Sequence, residues 1–234
     1  VWDYIGGNRR SKIEAAEEIP GGPAYSLMQE LAKKHGVFIH AGSILEKIPG
    51  DERLHNTTVA FDRAGEEPLD AVVLSHCHHD HVGSLPLAIR RFPGAHVLMT
   101  ELSYFIVDRV LHNSVNVMAR QRDELGIKEY PFFTHDEVDD VSACFQGFRY
   151  NREIEWASFA KTRKGIASPT LEFLDAGHAL GSAGVMVRGA DSTLFYTGDV
   201  SFRDQTLLKG ARFEDVQSEV MIMETTRGAR AATP

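Results

Sequence analysis

Four residues of metal-binding type fall within six consecutive positions in the first half of the chain. They are His76, His78, Asp80 and His81, in the spacing His-x-His-x-Asp-His. Imidazole nitrogens and carboxylate oxygens are the common protein ligands of zinc and similar divalent cations. We therefore expect these side chains to bind one or two metal ions, and we expect Asp80 to orient or deprotonate a reacting water molecule.

A complete ligand set needs side chains from elsewhere in the chain, and two glycine-flanked residues are the candidates. His178 lies in Ala-Gly-His-Ala-Leu-Gly-Ser and Asp199 in Thr-Gly-Asp, each beside an expected strand end. Flanking glycine allows close backbone approach, and a strand end holds a side chain rigidly. His79 is expected to point away from the metal, and Cys77 to be a small buried residue. The remaining histidines are expected to be ordinary surface or core residues: His35, His40, His55, His96, His112 and His135.

The elements that must position these residues are predicted from hydrophobic periodicity. Residues 70–75 predict a buried strand that leads into the histidine cluster, and a helix over 81–91 follows it. Helices are also expected between Pro23 and Gly36, over 101–125, and after a Thr134–Glu137 capping box. Further strands are expected at 37–40, 57–61, 95–99, 148–154, 170–174, 184–187, 193–196 and 220–223.

The composition is that of a globular protein. The chain has 234 residues, of which 43% are hydrophobic and 25% charged, and its net charge is −8. No run approaches roughly 18 apolar residues, so no membrane helix is expected, and no signal peptide is recognisable. Two cysteines are too few for a disulfide scaffold, which favours a cytoplasmic location. The acidic balance gives no support to nucleic-acid binding, which usually requires a basic excess.

The segment from about residue 69 to residue 230 resembles the metallo-β-lactamase fold superfamily. Its histidine cluster is followed by His178 and then Asp199, in the order found in that family. It is most similar to the β-CASP branch, which includes ribonuclease J-like and mRNA 3′-end processing nucleases. Residues 176–183 resemble the third motif of that branch, and 197–199 its fourth. Residues 224–228 resemble its Glu-Ser-Thr-Tyr-Gly segment, with arginine in place of tyrosine.

The resemblance implies an α/β fold, an αββα sandwich, and a zinc-dependent hydrolase in which a metal-bound hydroxide attacks a phosphodiester such as RNA. The resemblance implies that two zinc ions are bound. The first would be held by His76, His78 and His178, the second by Asp80 and His81, and Asp199 would bridge them. The family supplies one further histidine to the second metal, but no histidine follows His178. We therefore expect a weak or single-metal site, or one completed by water, an irregular ligand or a second chain.

Two other functions stay open. One is a promiscuous hydrolase of small esters, lactones or β-lactams with the same metal centre, favoured by the acidic charge and by the absence of the branch's RNA-clamping insert. The other is a non-catalytic remnant that binds zinc for structure, since structural and catalytic sites share ligand types. The missing parts of the fold would leave apolar surface exposed, so a homo-oligomer is also an expectation. The sequence identifies no substrate-binding residue.

Residues 1–66 resemble a different family. The runs 36–47 and 55–65 are similar to an internal piece of the nitrilase superfamily, whose catalytic Glu, Lys and Cys lie outside this piece. Nitrilase activity is therefore not expected. We divide the chain into a nitrilase-like fragment, 1–66, and an incomplete metallo-β-lactamase-like domain, 67–234. The fragment's helix and strands are expected to replace the first elements of the sandwich.

Overall fold

The computed structural model describes residues 9–47, 54–65, 69–159 and 167–225. The chain divides into two compact units, with the boundary between Leu69 and Asp70. The expected junction at 66–68 and the motif residues 226–228 lie outside the described residues. None of the helices described has the length and hydropathy needed to cross a membrane.

The first unit consists of two helices and an antiparallel strand pair: α1 (Arg9–Ala15), α2 (Pro23–His35), β1 (Ile39–Lys47) and β2 (Leu54–Phe61). Helix α2 starts at a proline, whose fixed φ suits a first turn, and stops at Gly36, which adopts the left-handed conformation with φ 62°. Tyr25 of α2 packs edge-on against Phe61 of β2, with ring centroids 5.0 Å apart. That these strands complete the sandwich stays a prediction.

The second unit contains two sheets. The first has the order β3-β4-β5, with all strands parallel, and the second has the order β10-β9-β8-β7-β6. In the second sheet only β9 and β10 are parallel neighbours. The strands are β3 (Ala71–Val73), β4 (His96–Thr100), β5 (Phe145–Phe148), β6 (Glu153–Glu155), β7 (Thr170–Asp175), β8 (Ala183–Arg188), β9 (Thr193–Tyr196) and β10 (Val220–Ile222).

The two sheets pack face to face across one apolar core. Leu98 of β4 lies in a buried cluster with Phe173 of β7 and Val185 of β8, so both sheets contribute side chains to it. Helices of this unit are α3 (His79–Val82), α4 (Leu85–Arg91), α5 (Glu101–Leu125) and α6 (His135–Ser142). Helix α5 packs on β4 and β5 and buries Val107 and Leu111. The unit is therefore a mixed α/β sandwich.

Two predicted elements are each divided in the structure. The helix expected over 81–91 is interrupted after Val82, because Pro86 in the first turn of α4 lacks the N–H that a continuous helix needs. The strand expected over 148–154 is present only at its two ends, as the last residue of β5 and the first two residues of β6, with a turn between them. In that turn Asn151 has φ 55°, and its N–H donates to the carbonyl of Phe173 in β7. Both interruptions depend on local backbone chemistry that hydrophobic periodicity does not register.

Candidate metal centre

The histidine cluster begins where strand β3 ends. Leu74 donates its N–H to the carbonyl of Leu98 in β4, at 2.9 Å, and the Ser75 carbonyl accepts from the N–H of Ala183 in β8, at 2.7 Å. The segment is thus hydrogen-bonded to both sheets. His78 has extended backbone and is the N-cap of α3, so the chain turns at this residue. This arrangement fixes the cluster at the point where the two sheets meet.

A tight loop between β7 and β8 positions His178. The buried Ser182 hydroxyl accepts hydrogen bonds from the backbone N–H groups of His178 and Ala179, at 3.0 and 3.1 Å. The carbonyl of Gly181 accepts from the hydroxyls of Thr100 and Ser103, at 2.7 and 3.0 Å. The loop is therefore held from within and also by the start of helix α5.

Asp199 follows strand β9 through a glycine with φ 56°. The backbone of Gly198 passes close to the histidine segment. A Cβ at this position would lie 2.8 Å from the Ser75 Cβ and 3.0 Å from the Ala183 carbonyl oxygen. Only glycine fits here without displacement, because it combines a left-handed φ with the absence of a side chain.

Replacing Gly198 with alanine is expected to destabilise the second unit by roughly 1–3 kcal/mol, since it adds backbone strain and a clash. The midpoint of thermal unfolding, followed by circular dichroism, should fall by roughly 2–10 °C. Gly94→Ala is the matched control, because no heavy atom lies within 4 Å of its added Cβ. Equal midpoints for the two variants would contradict the close approach.

Four candidate donor atoms converge where these three segments meet. The Nε2 atom of His76 is 3.0 Å from the Nδ1 atom of His78, which is 3.2 Å from the Nε2 atom of His178. The Oδ2 atom of Asp199 is 3.5 Å from His178 Nε2 and 3.9 Å from His76 Nε2. All four ligand atoms lie within 4.8 Å of one another. Side chains separated by up to 123 positions in the sequence therefore form a single cluster.

The second oxygen of Asp199 faces a different imidazole. Its Oδ1 atom is 3.6 Å from the Nε2 atom of His81, and the same nitrogen is 3.6 Å from Oδ2 of Asp80. The Asp80 carboxylate is 80% exposed, whereas the Asp199 side chain is 29% exposed. Asp199 thus stands between two groups, one formed by three imidazoles and one formed by His81 with Asp80.

The buried imidazole of His76 is neutral. Burial, together with the nearby rings of His81, His78 and His178, lowers the pKa of His76 to about 3, against a smaller opposite effect of Asp80. The Nδ1 atom of His76 lies 3.1 Å from the Ser75 hydroxyl. When Nδ1 carries the proton and donates it to this hydroxyl, Nε2 has a free lone pair directed toward the cluster.

This donor set fits a divalent metal ion. Ligands bonded at roughly 2.0–2.2 Å in a tetrahedron lie about 3.4 Å from one another, and the four measured separations run from 3.0 to 3.9 Å. Three imidazole nitrogens and one carboxylate oxygen are also a ligand chemistry that zinc accepts. Unprotonated nitrogens packed this closely repel one another unless a cation or a proton lies between them.

Neighbouring groups fit less well as ligands. Burial raises the pKa of the Cys77 thiol, which keeps it protonated and unlike the thiolate that binds metal. The exposed ring of His79, like Asp80 and His81, lies outside the set of four described residues whose ligand atoms are all within 4.8 Å of one another. Burial and the Asp199 carboxylate raise the pKa of Tyr196, so its hydroxyl remains protonated.

Sequence reasoning missed two features of this unit. The hydroxyls of Thr100 and Ser103 support the His178 loop, but nothing in their local sequence indicates a partner about 80 positions away. His112 and His135 form a separate group with Asp108 and Asp139. The Asp-x-x-x-His spacing on a predicted helix was a signal for that group.

Comparison of the sequence with known families gives a match over part of the chain. The model of the metallo-β-lactamase superfamily matches residues 47–158, which include the histidine cluster, helices α3–α6 and strands β2–β6. This part of the chain carries a metallo-β-lactamase superfamily domain. His76 and His78 lie within the matched residues, whereas His178 and Asp199 follow them.

The chain is similar to several longer proteins, two of which are named as ribonucleases. Ribonuclease TTHA0252 of Thermus thermophilus is 30% identical over 94% of this chain and 44% of its own length. Probable RNase MJ4 of Methanocaldococcus jannaschii is 29% identical over 68% of this chain and 34% of its own. Cleavage and polyadenylation specificity factor subunit 3 of Dictyostelium discoideum is 29% identical over 71% of this chain and 20% of its own length. The chain spans less than half the length of each of these curated relatives.

The matches also extend into the N-terminal segment. The family model begins at residue 47, and an alignment over 94% of the chain must include much of residues 1–66. These matches do not bear out a nitrilase origin for that segment, which stays a prediction.

Proposed function

We propose that this chain is a zinc-dependent hydrolase that cleaves phosphodiester bonds, with RNA as the substrate class. The observation that carries the proposal is the convergence of four donor atoms, from His76, His78, His178 and Asp199, within 4.8 Å. A neutral histidine at the buried end of this cluster supports metal binding, because only an unprotonated nitrogen is a ligand.

Each cluster residue has a distinct role in the proposal. His76, His78 and His178 would hold one zinc ion, His81 with Asp80 would hold a second, and Asp199 would bridge the two positions. Zinc bound there would supply a Lewis acid for the activation of water and for charge on the attacked phosphate. The support for bridging is that the Oδ2 and Oδ1 atoms of Asp199 face different imidazoles.

Asp80 is the proposed proton acceptor. Its carboxylate lies at the start of α3, 3.6 Å from His81, and is largely open to solvent. An exposed carboxylate next to the cluster reaches an entering water and releases the proton to bulk solvent.

RNA is favoured as the substrate class because two of the proteins to which the chain is similar are named as ribonucleases. Their names apply to proteins more than twice as long as this chain, so the substrate of this chain is inferred and needs its own test. The net charge of −8 favours a second candidate, hydrolysis of small uncharged esters or lactones, since an acidic surface repels a polyanion.

The test is a hydrolysis panel with the full chain: labelled single-stranded RNA, bis-p-nitrophenyl phosphate, p-nitrophenyl acetate and a chromogenic cephalosporin. Cleavage of the two phosphodiesters should be lost on treatment with a chelator and restored by zinc. His79→Ala is the matched control within the cluster, and we expect it to retain turnover. Turnover that survives complete chelation would exclude the metal mechanism. Ester hydrolysis without RNA cleavage would favour the second candidate, and bound zinc without turnover would favour a structural site.

A further inference from the structure

A second group of histidines and aspartates lies where helix α5 contacts helix α6, outside the cluster described above. Asp108 and His112 are one helical turn apart on α5, while His135 and Asp139 are one turn apart on α6. Residues four positions apart share one face of a helix. Each helix therefore contributes one Asp–His pair to the contact between α5 and α6.

The ligand atoms of this group have the spacing of a metal site. The Nε2 atom of His112 is 3.7 Å from Oδ1 of Asp108 and 3.3 Å from Oδ1 of Asp139. All three atoms lie within 4.8 Å of one another. Both measured distances are close to the edge of about 3.4 Å expected for a tetrahedral zinc site.

The hydrogen bonds of His135 bear on which ring nitrogen of His112 is available to bind a metal ion. The Nε2 atom of His135 is 3.2 Å from the Oδ1 atom of Asn116, to which it donates. With both rings neutral, the Nδ1 atom of His135 is then an acceptor, and it lies 2.8 Å from the Nδ1 atom of His112. In that tautomer His112 carries its proton on Nδ1, and its Nε2 lone pair faces two carboxylates.

That arrangement calls for a cation. A lone pair and two carboxylate oxygens facing one another repel, and the repulsion is relieved by a divalent ion whose charge balances the two carboxylates. Asp108 is oriented by the Ser142 hydroxyl, which donates to its Oδ1 atom at 2.8 Å. At metal sites, a histidine ligand usually donates its other ring N–H to a neighbouring acceptor. A carboxylate ligand usually accepts a hydrogen bond from a neighbouring donor.

We propose that Asp108, His112 and Asp139 bind a divalent transition-metal ion of the zinc type, with water completing its coordination. His135 and Ser142 orient the ligands. The side chains of Asp108 and His112 are 39% and 28% exposed, so the ion reaches the site from solvent. The bound ion joins α6 to α5, the helix whose first turn supports the His178 loop, and it takes no part in the proposed hydrolysis.

The test is the number of zinc ions per full-length chain, measured by mass spectrometry after gel filtration. His112→Gln and Asp139→Asn should each bind one zinc ion fewer than the parent, and zinc should raise their unfolding temperature less. Asp140→Asn, a neighbouring exposed acid on α6, is the charge-matched control and should bind the parental number. In a His76→Ala background, the zinc ion that remains should be lost on adding His112→Gln.

Unchanged zinc content in both variants would overturn the proposal. If His112→Gln does not fold, Asp139→Asn decides, because its side chain is 70% exposed and its loss leaves the core intact. Hydrolysis by the same samples should be unchanged, so failure here is distinct from failure of the hydrolase proposal.

Discussion

Replacing His76 with alanine is expected to lower turnover of bis-p-nitrophenyl phosphate on the order of 10³-fold, equivalent to about 4 kcal/mol of activation free energy. His76 is fully buried and is one of the proposed ligands. Its loss removes one donor from the proposed ligand set and takes away the imidazole that lies 3.0 Å from the Nδ1 atom of His78. Initial rates and bound zinc, measured on the same purified sample, check this prediction.

Removal of a buried side chain also affects folding, so a second variant is needed. His78→Ala truncates an exposed ring and should cause a similar loss of turnover with a smaller loss of stability. His79→Ala, the neighbouring exposed imidazole, is again the matched control. Full turnover in the folded His78→Ala variant would contradict the assigned ligand set.

Asp199→Asn is expected to weaken zinc binding by at least about 100-fold, since even outer partners of metal ligands change affinity by 10–100-fold. Asparagine keeps the shape of the side chain but removes its charge and one of its two oxygens. Because Oδ2 faces His178 and Oδ1 faces His81, the substitution affects both groups of ligands together. Titration against a competing chelator measures the change.

The control for charge is Asp191→Asn, in the exposed turn between β8 and β9. It removes the same charge from the same unit and should leave zinc affinity and turnover at parental values. If Asp199→Asn weakened zinc binding no more than Asp191→Asn, the carboxylate would be a surface charge and the bridging role would be wrong.

Much of the positioning framework was predictable from local sequence. Helix α5 begins and ends at the predicted residues, Glu101 and Leu125, because Thr100 caps its start and Gly126 its end. The Thr134–Glu137 capping box is present at α6. Such features were predictable because each depends on residues within one or two turns of the backbone.

The candidate site was predictable in its residue types but not in its geometry. His76 and His78 were predicted as ligands because several residues of metal-binding type lie within six positions. His178 and Asp199 were predicted from their glycine neighbours and from the family resemblance. The exposed orientation of Asp80, by contrast, depends on where α3 begins. The group around His112 was missed because it forms only when α6 packs on α5. The Asp-x-x-x-His spacing in α5 indicates one pair of possible ligands but not the helix that brings the other pair.

The long sequence separation of the donors has a consequence for the order of folding. His78 and His178 meet across 100 positions, and the loop that carries His178 depends on a hydroxyl 81 positions earlier. Contacts of this range form only after the entropy of closing a long loop has been overcome, which places them late in folding. During synthesis, the emerging segment 76–81 therefore offers an incoming ion only part of its ligands. Under the proposed assignment, tight retention of the ion requires His178 and Asp199, which follow strands β7 and β9 and are synthesised after the histidine cluster.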